Sequence, residues 1–192
     1  MLVPVPSGYR EHQIGYIFFV SNTSLVAEGI GWFQRWQQTG KISVFHTGVV
    51  TGPDECVEAH WRTGVALNNL ADYEASKETL ILYRKPRGWT PELGNSIAAS
   101  AKGRLGARYN KGLILSQLAS NTFVGHALNW LFNGGPERWL SRVMDDKQEF
   151  ICSELSAYAL AQQPIFEGKG ILAQPLDTIS PQELFEDNVL FE

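Results

Sequence analysis

Cysteine is scarce in this sequence, because only Cys56 and Cys152 occur among 192 residues. Two thiols can form at most one disulfide, so a small secreted domain held together by several bridges is excluded. One alternative is a single bridge between the two. Free thiols in a reduced, cytoplasmic setting are the simpler expectation.

Runs of basic residues are also missing. The 16 lysines and arginines are scattered along the chain, and 20 acidic residues outnumber them, so the formal net charge is −4. Domains that bind nucleic acids usually present a basic face. This balance therefore disfavours DNA, RNA or an anionic membrane surface as the main partner.

Long apolar segments are absent as well. The N-terminal residues MLVPVPSGYREHQ lack the basic region and the apolar stretch of a secretory signal. The most apolar segment, residues 112–132, is interrupted by serine, glutamine, asparagine and histidine. A membrane-spanning helix needs roughly 18 unbroken apolar residues, so we expect no membrane insertion.

Material for a folded core is plentiful. Hydrophobic residues make up 44% of the chain and charged residues 19%, which is typical of a globular domain and not of a disordered one. The length favours a single domain over residues 1–192.

The first half of the chain favours β-strands. Apolar runs predict strands over 15–20, 42–51, 56–61 and 79–84, with a further short piece from Gly64. Gly52-Pro53-Asp54 is a strong turn signal and predicts a hairpin between the second and third strands. Helical spacing of apolar residues predicts a helix over 25–38.

The second half favours helices. The spacing predicts helices over 91–105 and 152–162, a loop over 106–110 and a short capped helix from Ser180. Residues 112–148 read as a helical insertion. The sum is an α+β domain in which helices pack against an antiparallel sheet.

Cys152 begins one of these predicted helices and is the first candidate for chemistry. Backbone N–H groups and the helix dipole favour negative charge at a helix N-terminus, which populates the nucleophilic thiolate. The same N–H groups can bind a developing oxyanion. The alternative is a buried cysteine that packs as a small hydrophobic residue.

His46 is the candidate base, because it lies in a predicted strand that can hold an imidazole rigidly beside a nucleophile. Gly48 shares its face by alternation and leaves space for substrate or for another backbone. The alternative is a half-buried histidine that is bonded to a backbone carbonyl.

Glu58 is the candidate orienting residue. The predicted hairpin places Cys56, Glu58 and His60 on one face beside the strand of His46. Glu58 could accept the Nδ1 proton of His46 and fix its tautomer, or it could simply face solvent. His60 is an alternative third member, whereas His12 and His126 lack a comparable setting. A zinc site built from Cys56, His60, His46 and Cys152 lacks the usual close ligand spacing.

Several short motifs occur in an order that resembles one family, the YiiX-like permuted papain-like amidases. These are relatives of the NlpC-type peptidases and of lecithin retinol acyltransferase. The motifs are His46-Thr47-Gly48-Val49-Val50, Val57-Glu58-Ala59 before Gly64-Val65, Gly106-Ala107-Arg108-Tyr109, Cys152-Ser153-Glu154-Leu155, and Pro175 to Pro181. Histidine precedes cysteine, as in the permuted order. The chain departs from the family in Gly15-Tyr16, in Asn110 and in the length of 112–148.

The resemblance implies a circularly permuted papain-like fold and a cysteine amidase or peptidase that works through a thioester. It implies Cys152 as nucleophile, His46 as base and Glu58 as orienting residue. Tyr109, Gly48 and Ser153 are the implied substrate-binding residues, although Tyr109 could equally serve packing. No cofactor or metal is implied. A lipid acyltransferase and a non-catalytic binding module of the same fold are the alternatives.

Overall fold

The protein folds as an α+β domain around a five-stranded antiparallel sheet. A computed structural model describes residues 11–22, 44–60, 63–75, 79–109 and 149–192. The predicted helix over 25–38 and the predicted helical insertion over 112–148 lie outside these residues. So does His126.

The sheet has the strand order β4-β3-β2-β1-β5, and every neighbouring pair is antiparallel. The strands are β1 (Ile17–Asn22), β2 (His46–Val50), β3 (Glu55–His60), β4 (Gly64–Asn69) and β5 (Thr79–Arg84). The central position of β2 places the strand of His46 between two hydrogen-bonded neighbours, which suits a side chain that must be held rigidly.

The predicted hairpin is confirmed by the pairing of β2 with β3, in which Val49 lies opposite Val57. The turn closes where the N–H groups of Thr51 and Gly52 both donate to the carbonyl of Glu55, at 2.8 and 3.1 Å. The β2 strand itself begins at His46, later than the predicted residue 42. His46 is thus the first residue of its strand and lies at one end of the sheet.

The two faces of the sheet bury different sets of side chains. One face packs against the helices, and its members include Ile17, Phe19, Val49, Val57 and Leu82. The other face forms a second cluster around Phe18, Val20, Val50, Cys56 and Tyr83. Because side chains alternate along a strand, Thr47 faces the helices while His46 and Gly48 belong to the opposite face.

Four α-helices accompany the sheet in the part of the chain that the structure describes. They are α1 (Ala71–Glu74), α2 (Pro91–Lys102), α3 (Cys152–Ala161) and α4 (Pro181–Glu186). Two of their starts follow ordinary capping chemistry, since the Thr90 hydroxyl accepts the N–H of Leu93 at 3.2 Å and Ser180 accepts that of Glu183 at 3.2 Å. The predictions of α2, α3 and α4 are confirmed to within a few residues.

The sequence does not predict a two-stranded parallel pair that the structure contains. The predicted loop over 106–110 is wrong in part, because β6 (Arg108–Tyr109) pairs with β7 (Glu149–Phe150). The backbone of Tyr109 lies opposite Phe150, two residues before Cys152. This pairing brings the Gly106–Tyr109 region next to the chain that enters α3.

Among the described residues, every helix is too short or too polar to span a membrane. The thiols of Cys56 and Cys152 are both free and buried, so the alternative of a disulfide between them is not realised.

Candidate active site

A chain of hydroxyl contacts fixes α3 against β2. Thr47, the residue after His46, is fully buried and donates its hydroxyl to the Phe18 carbonyl at 2.8 Å. The same hydroxyl lies 3.3 Å from that of Ser156, which in turn donates to the Cys152 carbonyl at 3.3 Å. This chain of contacts ties the first turn of α3 to the strand that carries His46.

Cys152 is the first residue of α3, as the sequence predicts, and its exposed fraction is only 8%. The preceding residue, Ile151, has an extended backbone and offers no side-chain cap. Instead, the Glu154 carboxylate reaches back to the N–H of Ile151 at 3.3 Å. The N–H groups at the start of α3 point along the helix axis toward the end where Cys152 lies.

His46 contacts both of its expected partners. Its Nε2 atom forms a short hydrogen bond with Oε2 of Glu58, and its imidazole also interacts with the Cys152 side chain. The sequence-based expectation that Glu58 would take Nδ1 is wrong, because the ring turns Nε2 toward the carboxylate. Nδ1 is then the ring nitrogen left for Cys152.

Glu58 is buried and accepts two further hydrogen bonds. The Asn68 amide donates to Oε1 at 2.7 Å, and the Tyr73 hydroxyl donates to Oε2 at 2.6 Å. The alternative of a solvent-facing glutamate is therefore wrong, because the exposed fraction of Glu58 is 2%. A buried carboxylate requires such partners, since an unpaired one is costly.

The contacts around His46 and Glu58 determine the charge states of these two side chains. Burial alone would lower the pKa of His46, but interactions with Cys152 and Glu58 raise it to about 10. Burial alone would raise the pKa of Glu58, yet the bonds from His46, Tyr73 and Asn68 hold it below its ordinary value. An imidazolium that faces a carboxylate is the arrangement that these directions favour at neutral pH.

Glu154 is a second acid close to the nucleophile. Burial raises the pKa of Glu154 to about 7. The hydrogen bond from the N–H of Ile151 lowers this pKa, and the negative charge of Asp177 raises it further. A full negative charge in the first turn would compete with a thiolate for the N–H groups there. A carboxyl that is partly neutral at pH 7 reduces that competition.

Two aromatic rings enclose the imidazole. The Tyr73 ring stacks on it with centroids 6.2 Å apart, and the Phe18 ring meets it edge-on at 6.1 Å. A Cβ added at Gly48 would come within 2.5 Å of the Phe18 ring and within 2.8 Å of the Val57 carbonyl. Of the two expected roles of Gly48, the structure therefore shows the close approach of a neighbouring backbone.

The other predicted site residues are placed less directly. Ser153 is fully buried, and its hydroxyl finds no hydrogen-bond partner among the described residues, so its role in substrate binding stays a prediction. The side chain of Tyr109 lies outside the described residues. His60 is exposed at the end of β3, so the structure pairs His46 with Glu58 and not with His60.

The zinc alternative gains no support from the described ranges, where no group of three histidine, cysteine or acidic side chains could hold a metal ion. Cys56 instead donates its thiol to the Asn68 carbonyl at 3.6 Å. His12 has a structural setting, because its Nε2 lies 2.7 Å from the Pro53 carbonyl and its ring stacks on Tyr83.

A surface cavity of about 450 Å³ lies elsewhere, at the end of β2 opposite to His46. Its lining residues are His12, Gln13, Ile14, Gly52, Pro53, Trp89, Pro91 and Asn95. None of them contributes to the Cys152–His46–Glu58 arrangement, so the volume of this cavity is not evidence about substrate at that site.

Asn68 and Tyr73 are the site residues that sequence analysis missed. Continuing the strand alternation beyond Gly64 places Asn68 opposite Cys56, on the face of Glu58. No comparable pattern marks Tyr73, which reaches Glu58 from the short helix α1.

No protein-family model matches the chain, and a search of curated proteins finds no match.

Proposed function

We propose that this protein is a cysteine-dependent hydrolase of amides or peptides, with Cys152 as nucleophile, His46 as base and Glu58 as orienting residue. One observation carries the proposal: a buried Glu58–His46 hydrogen bond continues to Cys152 at the start of a helix. Nucleophile, base and orienting acid in mutual contact are the general signature of an activated nucleophile.

The family resemblance adds support. A sheet-borne histidine that precedes a helix-borne cysteine is the order expected of a permuted papain-like enzyme. The five-stranded antiparallel sheet and the packed α3 helix are compatible with that fold. We therefore extend the proposal to a circularly permuted, NlpC-type papain-like domain.

The reaction follows from the charges. The Cys152 thiolate attacks the substrate carbonyl carbon, so a C–S bond forms and the carbonyl electron pair moves to oxygen. The N–H groups at the start of α3 stabilise that oxyanion. When it collapses, the C–N bond breaks and His46 gives its proton to the leaving amine. A thioester remains on Cys152.

Deacylation reverses these roles. Neutral His46 takes a proton from water, which attacks the thioester carbon and releases a carboxylic acid and the Cys152 sulfur. Glu58 keeps the imidazole oriented throughout and compensates its positive charge. No cofactor enters this cycle, because every proton moves between His46, substrate and water.

An acyltransferase that acts on lipids remains a different prediction from the same resemblance. It depends on the apolar residues 113–132, which lie outside the described residues. No contact among the described residues favours it over amide hydrolysis.

The test is the alkylation rate of each thiol by iodoacetamide across neutral pH, read by mass spectrometry. We expect Cys152 to react near pH 7, where an ordinary thiol with a pKa of about 8.5 is mostly protonated. Cys56 should stay inert, because burial and the charge of Glu58 raise its pKa.

The His46→Ala variant is the control, and it should abolish the reactivity of Cys152 near neutral pH. If Cys152 is inert in the folded wild type, or reacts equally in His46→Ala, the hydrolase proposal fails and the binding-module alternative replaces it. A positive result justifies a screen of fluorogenic peptide amides and acyl lipids, and the substrate that is turned over separates those two classes.

A further inference from the structure

Glu58 is held by donors from three other elements, of which the sequence indicates only His46. We propose that Tyr73 and Asn68 are positioning residues that fix the Glu58 carboxylate and, through it, the imidazole of His46. The catalytic consequence of this proposal rests on the function proposed above, whereas its effect on His46 does not.

The bonds act on different oxygens of the carboxylate. Asn68 donates to Oε1 at 2.7 Å, while Tyr73 donates at 2.6 Å to Oε2, the atom that also binds Nε2 of His46. The terminal torsion of a glutamate is broad, so one bond alone would leave its plane loosely defined. Donors on both oxygens fix the plane and therefore the direction in which Oε2 meets the ring.

Tyr73 supports the base in a second way. Its ring stacks on the imidazole at 6.2 Å with an interplanar angle of 29°, and it also touches the Phe18 ring at 5.7 Å. One side chain thus packs against the ring of His46 and binds the acid that orients that ring. A residue that served packing alone would not need its hydroxyl at Glu58.

The short segment from β4 to α1 places both donors together. Asn68 lies in β4, which pairs with the strand of Glu58, and Asn69 then accepts the N–H of Ala71 at 2.9 Å to begin α1. Tyr73 follows within that helix. The chain therefore delivers an amide and a phenol to one carboxylate within six residues.

The titratable groups that face this carboxylate are few in the described residues. They are His46 from β2, Tyr73 from α1 and Cys56 from β3 itself, with Cys152 from α3 beside the imidazole. Burial and the charge of Glu58 raise the pKa of Tyr73, so its hydroxyl remains a donor throughout the accessible range. Loss of that donor leaves the charge of Glu58 in place but frees the carboxylate to turn, so the contact of Oε2 with Nε2 that sustains the His46 imidazolium should weaken.

The experiment is a pH titration of the His46 ring by NMR in the wild type and in Tyr73→Phe, which removes one oxygen and keeps the ring. We expect the titration midpoint of His46 to move down toward its ordinary value. Alkylation of Cys152 at pH 7 should slow about tenfold, the effect of one lost hydrogen bond to a charged group.

Tyr83→Phe is the matched control. Tyr83 is buried in the same cluster as Phe18, and its hydroxyl lies 3.4 Å from Glu74 of α1, so it tests the packing of that helix without touching Glu58. Its titration and alkylation should match the wild type. An unchanged His46 midpoint in Tyr73→Phe, or an equal shift in both variants, would overturn the proposal.

Asn68→Ala provides an independent test should Tyr73→Phe fold poorly. It removes the bond to Oε1, and it should lower the His46 midpoint in the same direction, whereas Asn95→Ala on the exposed side of α2 should not. A wild-type Cys152 that reacts independently of His46 would refute the hydrolase proposal alone. The NMR midpoints would still decide the roles of Tyr73 and Asn68.

Discussion

The two cysteines occupy contrasting regions of the same domain. Cys56 lies within the sheet, fully buried, with its thiol on the Asn68 carbonyl and the carboxylate of Glu58 nearby. Cys152 opens a helix and meets the imidazole of His46. One sulfur faces an acceptor and negative charge, and the other faces a cation and helix N–H groups.

Glu58 acts on both thiols with opposite consequences. Its negative charge raises the pKa of Cys56 directly. The same charge favours the protonated form of His46, which is the partner of Cys152. One buried carboxylate can thus suppress one thiol and support another, because an imidazole stands between it and only one of them.

The largest expected effect comes from removing each sulfur in turn. Cys152→Ala should reduce hydrolysis of any substrate found in the screen by about 10³-fold or more, since no other group can form the thioester. Cys56→Ala should leave the rate within about threefold, at some cost in stability from a lost buried side chain. Steady-state kinetics on both variants checks the contrast, and equal losses would refute it.

A smaller effect is expected from Glu58→Gln, which keeps the shape of the side chain and removes its charge. The reactivity of Cys152 at pH 7 should fall about tenfold, because the imidazolium loses a charged partner. Cys56 should become slightly easier to alkylate, because a negative charge beside it is gone. Site-resolved mass spectrometry measures both rates in one sample.

The matched control for this change is Glu55→Gln in the same strand. Glu55 is partly exposed, and its carboxylate binds Thr51 at 2.8 Å and Lys102 at 2.8 Å, away from His46. This variant should leave the alkylation of Cys152 unchanged. A similar loss of reactivity in both variants would mean that the effect is a general one on the sheet and not specific to the pair of Glu58 and His46.

The pH dependence of stability offers a second test of Glu58. Its pKa in the folded state lies below the ordinary value of 4.5, so its contribution to stability is present above about pH 4.5 and is lost as the pH falls through the lower folded value. The wild type should therefore lose more stability than Glu58→Gln as the pH falls below 4.5. Urea unfolding at each pH measures the difference, and parallel curves would contradict the assignment of charge.

Much of the fold could be predicted from local patterns. The strand over Thr79–Arg84 has the predicted bounds, and the turn at Gly52-Pro53-Asp54 correctly predicts the hairpin that brings Glu58 beside β2. These features depend on alternation and on turn chemistry, which act over a few neighbouring residues. Similar local signals place Cys152 at a helix start, where the structure has it.

The rest depends on contacts between distant residues. The pair of β6 and β7 joins Arg108 to Glu149 across 40 intervening residues, and two-residue strands have no periodicity to detect. The choice of Nε2 over Nδ1 depends on how the ring of His46 is turned, and the rings of Phe18 and Tyr73 that lie against it come from other elements. Neither ring orientation nor the reach of Tyr73 can be derived from spacing along the chain.

The smallest expected effect concerns the tie between α3 and β2. Thr47→Val removes the hydroxyl that bonds the Phe18 carbonyl and contacts Ser156, and it should lower the free energy of unfolding by about 1 kcal/mol. Because this tie fixes the helix of Cys152, the alkylation of Cys152 should slow a few-fold while that of Cys56 stays the same.

Ser156→Ala should have a similar but weaker effect. The double variant should lose less free energy of unfolding than the sum of the two single variants, because the two hydroxyls share one contact. Urea unfolding and site-resolved alkylation check both parts, and strictly additive losses would show that the two hydroxyls act independently.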